Sequence, residues 1–174
     1  TSSTNASIDP SLGDVKAQVI DALLKYFLEC VIDPKRREQF LASAVPRVIN
    51  LDILTKIFPD PDEALDVYNW LRNLYTTQVR TDGLVFHDIV RSVFIEYLHH
   101  RSQDQLRNLN QKMAAYYLDK RHQLILFSAE WQQATLEYLY HSLYIDEDRS
   151  IQEAAFYFLN AQEFIGQGLI AGII

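Results

Sequence analysis

His87 and Asp88 stand side by side in the stretch T-D-G-L-V-F-H-D-I-V-R, which runs from Thr81 to Arg91. The residues before the pair read as a turn and a short β-type run, and those after it return to a helical period. The pair therefore marks a seam between strand and helix. The first amides of a helix have no partner within it and lie at the positive end of its dipole, so that end is a resting place for an anion. A histidine at the seam adds a side-chain donor to those amides. The chemistry this offers is recognition of an anionic group rather than bond breaking. Each residue also has a plainer use: Asp88 as an N-cap that accepts backbone N–H bonds, and His87 as the last strand residue with its ring in solvent.

The remaining chemistry-bearing residues form no recognisable constellation. The single cysteine, Cys30, cannot form an internal disulfide, and it lies in an apolar helical pattern, so it reads as a buried thiol in a reduced, intracellular setting. His99 and His100 are adjacent and point about 100° apart on a helix, a poor chelate, and no zinc spacing is present. None of the five glycines lies in a G-x-x-x-x-G-K-[ST] loop, and there is no nucleophile elbow and no carboxylate pair fixed by a local motif. Catalysis by this chain alone is not expected.

The elements that must position the seam are legible from period and punctuation. Residues 1–13 read as a flexible lead-in. From Val15 to Ile32 the apolar residues Val19, Ile20, Leu23, Leu24, Phe27, Leu28 and Val31 recur at helical steps. Asp33-Pro34 starts a second helix reaching about Val45, where Pro46 ends it. Asn50 caps a short third helix, L-D-I-L-T-K-I-F, which Pro59 stops. Asp60-Pro61-Asp62-Glu63 is a stronger start, with Glu63 placed for a capping box, for a helix lasting to about Tyr75. Thr76–Arg80, the turn Thr81-Asp82-Gly83 and Leu84-Val85-Phe86 then predict a small hairpin. The helix after it carries Ile89, Val90, Val93, Phe94, Tyr97 and Leu98, and ends in His99, His100 and Arg101, where positive charge suits the dipole. Helices, a two-stranded hairpin and one more helix is the element order of a winged helix.

Beyond it the pattern is wholly helical. Ser102 caps a helix carrying Leu106, Leu109, Met113, Tyr116 and Tyr117. A second runs from about Ser128 to Tyr144, and a third follows Asp148 with Ala154, Ala155, Phe158 and Leu159. Small and aromatic residues on paired helices suit a stacked helical array, although no clean repeat period is present, and a plain helical extension of the first domain is the alternative. The expected fold is thus mainly α: a flexible lead-in at 1–13, a winged helix at 14–101 and antiparallel TPR-like helical hairpins at 102–174. The chain starts without methionine and stops in the apolar tail G-L-I-A-G-I-I, which leads to the expectation of a piece cut from a longer protein, truncated at its C-terminus.

Charge narrows the partners. With 174 residues, 48% of them hydrophobic, the chain has ample material for a core, and its formal net charge of −7 opposes phosphate neutralisation. The helix before the hairpin, which would read DNA, opens with Asp60, Asp62, Glu63 and Asp66, and the hairpin offers only Arg80 as a cation, with Asp82 at its tip. These charges argue against nucleic acid as a partner. No apolar run approaches the length needed to span a membrane, and the polar start T-S-S-T-N-A-S is unlike a signal peptide.

The segments Y-N-W-L-R-N-L-Y, T-D-G-L-V-F and above all F-H-D-I-V-R-S-V-F-I-E-Y-L resemble the winged-helix region of signal-transduction NTPases of the STAND class, which includes the NB-ARC and NACHT-type switches. The last of these is similar to the Met-His-Asp motif of that class followed by its leucine-rich helix, with Phe86 in place of methionine. L-N-Q-K-M-A-A-Y-Y and L-E-Y-L-Y-H-S-L-Y look like the helices that lead into TPR-like repeats in bacterial members. The resemblance covers most of the chain after about residue 14. It implies a regulatory segment in a cytoplasmic protein, with ATP or ADP and magnesium held by an upstream P-loop domain of the same chain. His87 would touch the phosphates of ADP and Asp88 would organise the seam. Downstream repeats or protein partners would bias the same equilibrium. A DNA-binding transcriptional regulator is one alternative. The other is a protein-interaction scaffold presenting Tyr138, Tyr140, Tyr144, Phe156 and Tyr157, residues that serve equally as helix-packing groups.

Overall fold

The computed structural model describes residues 33–164, together with Gln18, Ala22, Lys25 and Tyr26, which are helical and exposed. The rest of the expected first helix, the lead-in, Cys30 and the tail from residue 165 lie outside the described residues. Among those described, seven helices and one antiparallel hairpin follow in the order α1 (Pro34–Ser43), α2 (Leu51–Ile57), α3 (Pro61–Arg72), β1 (Thr77–Arg80), β2 (Gly83–Phe86), α4 (Asp88–Arg101), α5 (Gln103–Gln123), α6 (Ala129–Leu143) and α7 (Glu147–Phe164). The chain is mainly helical with a small two-stranded sheet.

Helix starts follow the capping chemistry closely. Asp33 accepts from the Lys35 amide at 3.0 Å, Asn50 from Ile53 at 3.0 Å, Asp60 from Asp62 at 3.1 Å and Ser128 from Trp131 at 3.1 Å. Ser102 caps α5 in the same way through the Gln105 amide. Glu63 does not close a capping box. Its carboxylate turns to α1, accepting from Gln39 Nε2 at 2.7 Å and pairing with Lys35 Nζ at 3.0 Å.

Helix ends depart further from expectation. α3 stops at Arg72 rather than Tyr75, because the Thr77 hydroxyl donates back to the Leu71 and Leu74 carbonyls and the Asn73 amide to Asn69, taking the acceptors a further turn would use. α7 starts two residues earlier than expected, since Asp146 accepts from the Arg149 amide at 3.1 Å.

The hairpin pairs Thr77 with Phe86 and Arg80 with Gly83, leaving Thr81-Asp82 as a two-residue loop. Gly83 has φ of +148°, and a Cβ there would run into the Ile49 carbonyl oxygen, so glycine is required at this close approach. That approach is itself an isolated bridge: Ile49 N–H donates to Leu84 O at 2.8 Å and Leu84 N–H to Ile49 O at 2.7 Å. It fixes the loop between α1 and α2 to the hairpin.

Phe40 of α1 sits at the centre of the core, edge-to-face with Phe94 at 4.8 Å, Phe86 at 5.1 Å and Trp70 at 5.7 Å between ring centroids. Ile49, Ile53, Leu54, Leu71, Leu84 and Leu98 surround these rings, fully buried. The apolar cluster continues through the α4–α5 junction into Leu106, Leu109, Met113, Tyr117 and Ala134. α5 and α6 run antiparallel: Asn110 near the start of α5 meets His141 near the end of α6, while Arg121 at the other end lies over Trp131. α6 and α7 do the same, through Trp131 with Tyr157 and Tyr138 with Glu153.

Candidate functional site

The seam takes its form from one backbone bond. His87 N–H donates to Thr76 O at 3.0 Å, carrying the ladder one residue past β2 and holding His87 extended at φ −57°, ψ 139°. The helix consequently starts at Asp88 and not before it. Asp88 is therefore the first helical residue rather than the N-cap, and its carboxylate acts on the dipole from the first turn. The N-cap position belongs to His87, whose ring makes no capping bond. Gln78 Nε2, a donor, lies 3.1 Å from His87 Nδ1 and so leaves the imidazole proton on Nε2. Both predicted site residues are exposed.

They lie on the rim of an open cleft of about 770 Å³, which the hairpin, the α1–α2 loop, α4 and α6 build together. Arg47, Arg80 and Arg91 line it together with Asp82, Asp88 and Glu137, so its cations and carboxylates match one for one. Arg47, Arg91 and Glu137 carried no signal in the sequence. Arg47 follows a helix-ending proline, and Arg91 and Glu137 occur within helical patterns as single charges. Only the fold brings them to His87.

Arg91, one turn along α4 from His87, is a tie between three segments. Its Nη2 donates to Val45 O at 2.8 Å and to the Tyr140 hydroxyl at 2.7 Å, and its guanidinium lies 5.3 Å from the Tyr140 ring centroid. Arg47 rests against the same ring at 4.9 Å. Arg47 Nε and Nη2 also grip Glu137 in a bidentate pair at 3.0 and 2.8 Å. The pair is asymmetric: the Arg47 side chain is 40% exposed and the Glu137 side chain 5%. Burial works against the Arg47 charge, but the hydrogen bond and charge of Glu137 outweigh it and hold the guanidinium pKa above its ordinary value.

Behind these groups His141 is wholly buried. The Asn110 amide nitrogen donates to Leu106 O at 2.9 Å, which orients its oxygen to accept from His141 Nδ1 at 2.7 Å. Burial, reinforced by the nearby Arg91 and Arg47 charges, lowers the His141 pKa to about 3, so the ring is neutral. Its Nε2 and Arg91 Nε are both buried without a hydrogen-bond partner among the described residues. Desolvation of its hydroxyl, followed by the bond to Tyr140, pushes the pKa of Tyr144 well up.

The aromatic residues named for a scaffold surface mostly have work inside the fold. Tyr138 donates to Glu153, Tyr140 holds Arg91, and the Tyr157 hydroxyl accepts from Arg121 at 2.9 Å. Phe156 is 62% exposed. In α3, Asp66 and Glu63 are paired with Arg36 and Lys35 of α1. No helix among the described residues is long and apolar enough to cross a membrane. No protein-family profile, curated protein or solved structure matches the chain.

Proposed function

We propose that the chain is the regulatory winged-helix and TPR-like helical segment of a multidomain STAND-type NTPase, sensing the bound nucleotide and relaying its state between the NTPase domain and downstream repeats. One observation carries this reading: His87 presents an exposed ring at an uncapped helix start, on a cleft that also holds three arginines. A phosphate brought to that cleft by an upstream P-loop domain would meet a ring N–H and first-turn amides, in the field of three nearby guanidinium charges.

The element order supports the winged-helix reading, and the Ile49–Leu84 bridge supports it further by adding a short third strand contact to the hairpin. The antiparallel pairing of α5, α6 and α7 supports the TPR-like reading. The acidic start of α3 counts against the DNA-binding alternative, as does the pairing of Arg80, the hairpin's cation, with Asp82 at 3.4 Å.

Such a segment works by differential contact. If His87 touches ADP in the closed arrangement and releases it in the open one, it favours the closed state by the free energy of that contact and no more. The nucleotide and its magnesium ion would belong to the parent protein, in the cytoplasm, and the segment would supply a sensor. The coding sequence ahead of Thr1 tests this. A G-x-x-x-x-G-K-[ST] loop followed by an acidic magnesium-binding strand is expected there; a receiver or small-molecule domain in its place would overturn the proposal.

A further inference from the structure

Arg47 and Glu137 lie ninety positions apart and come from different parts of the fold. Arg47 is two residues from Ile49, whose amide and carbonyl are both bonded to Leu84 of the hairpin, so it shares a frame with His87. Glu137 arrives on α6. We propose that Glu137 is an internal anion that holds the His87 cleft in its neutral form, and that loss of the Arg47–Glu137 pair unmasks Arg47 as a second phosphate-binding group. This rests on the reading that the cleft accepts an anion, and adds how that site is regulated.

With α6 docked, the three arginines of the cleft are matched by Asp82, Asp88 and Glu137. Glu137 occupies two nitrogens of the Arg47 fork, is itself buried, and is held in place by Gln133 Nε2 at 2.9 Å. Both residues line the cleft, and the guanidinium is the more exposed member of the pair. Remove the carboxylate and the cleft keeps its cations while losing the nearest repelling charge and the competitor for the fork. A buried pair of this kind adds little net stability compared with an apolar contact, whereas it ties the position of α6 to the charge of the site. Occupancy of the cleft by phosphate and the Arg47–Glu137 pair thus oppose each other, and by linkage each weakens the other equally.

The test is binding of inorganic pyrophosphate to this chain at low ionic strength, where screening is weakest. Glu137→Gln removes the charge, keeps the shape, and should tighten binding on the order of tenfold. Asp104→Asn, which removes one charge in the exposed first turn of α5 outside the cleft, should leave binding unchanged. Equal affinity of wild type and a helical, folded Glu137→Gln overturns the proposal, as does absence of binding by either. Should that variant fail to fold, the Arg47 Nε–H resonance of the wild type answers instead. It should shift on adding millimolar pyrophosphate, and a resonance that stays put contradicts the proposal. His87→Ala in parallel separates the two readings. Tightening by Glu137→Gln with no effect of His87→Ala would sink the sensor role and leave the Glu137 latch. Loss of binding in His87→Ala with no gain from Glu137→Gln would do the reverse.

Discussion

The Tyr140 hydroxyl accepts a hydrogen bond from Arg91 Nη2 at 2.7 Å, joining residues forty-nine positions apart. The same guanidinium nitrogen reaches Val45 O. A single side chain in the second turn after the strand–helix seam therefore fastens the α1–α2 loop to α6. Tyr140→Phe keeps the ring beneath both guanidiniums and removes the hydroxyl that meets Arg91 and Tyr144. It should cost about 1.5 kcal/mol in denaturant unfolding, in the range of a hydrogen bond to a charged group. Arg91→Met should cost more, because it also leaves Val45 O without this donor, and the double variant should cost less than the sum of the two.

Gly83 makes the hairpin's approach to Ile49 possible. Gly83→Ala needs a positive-φ backbone for a residue with a side chain and places that Cβ against a carbonyl already bonded to Leu84. A loss of more than about 2 kcal/mol is expected from these two effects together. A thermal midpoint equal to the wild type would show that the loop and hairpin are not held in this way.

His141 predicts a pH dependence of stability. Its pKa is lowered from 6.5 to about 3 on folding, so the unfolded chain binds the proton more readily. The contribution is fully present above the ordinary histidine value and is lost as pH falls through the window down to the folded value. The slope approaches about 1.4 kcal/mol per pH unit for this one proton. His141→Gln should flatten that slope, measured by urea unfolding at several pH values within the window. In the wild type the His141 ring signals should not titrate between neutral and mildly acidic pH.

His87 and Phe86 are neighbours with opposite burdens. His87 is exposed, so His87→Ala should leave stability within about 0.5 kcal/mol of the wild type. Phe86 is buried, edge-to-face against Phe40 and Phe94, and Phe86→Ala should cost about 3–5 kcal/mol. Phe86→Met, which restores the residue of the motif that this stretch resembles, should cost less than about 1.5 kcal/mol, since methionine fills irregular space at similar volume. Chemical unfolding of the three variants checks the order.

Local signals made the elements legible. Asp33, Asn50, Asp60 and Ser102 each cap the helix expected of them, because capping is a contact between near neighbours. The turn around Asp82-Gly83 marked the hairpin, and helical period marked α4 to α6. The misplaced starts and stops came from bonds that reach further. Thr77 ends α3 across six residues, and beside the Thr76–His87 ladder bond it is His87 and not Asp88 that takes the N-cap position of α4. Of the candidate site, the exposed seam of His87 and Asp88 was legible. Arg47, Arg91, Glu137 and Tyr140 were not, because each is an ordinary residue in its own segment and the cleft depends on pairings 46 to 90 positions apart.

The rate of ADP release from the full-length protein tests most directly whether His87 senses bound nucleotide, as proposed. His87→Ala, with stability unchanged, should release ADP several-fold faster than the wild type and shift the protein towards its open, active state. An ADP release rate equal to the wild type, with the variant folded, would contradict the account.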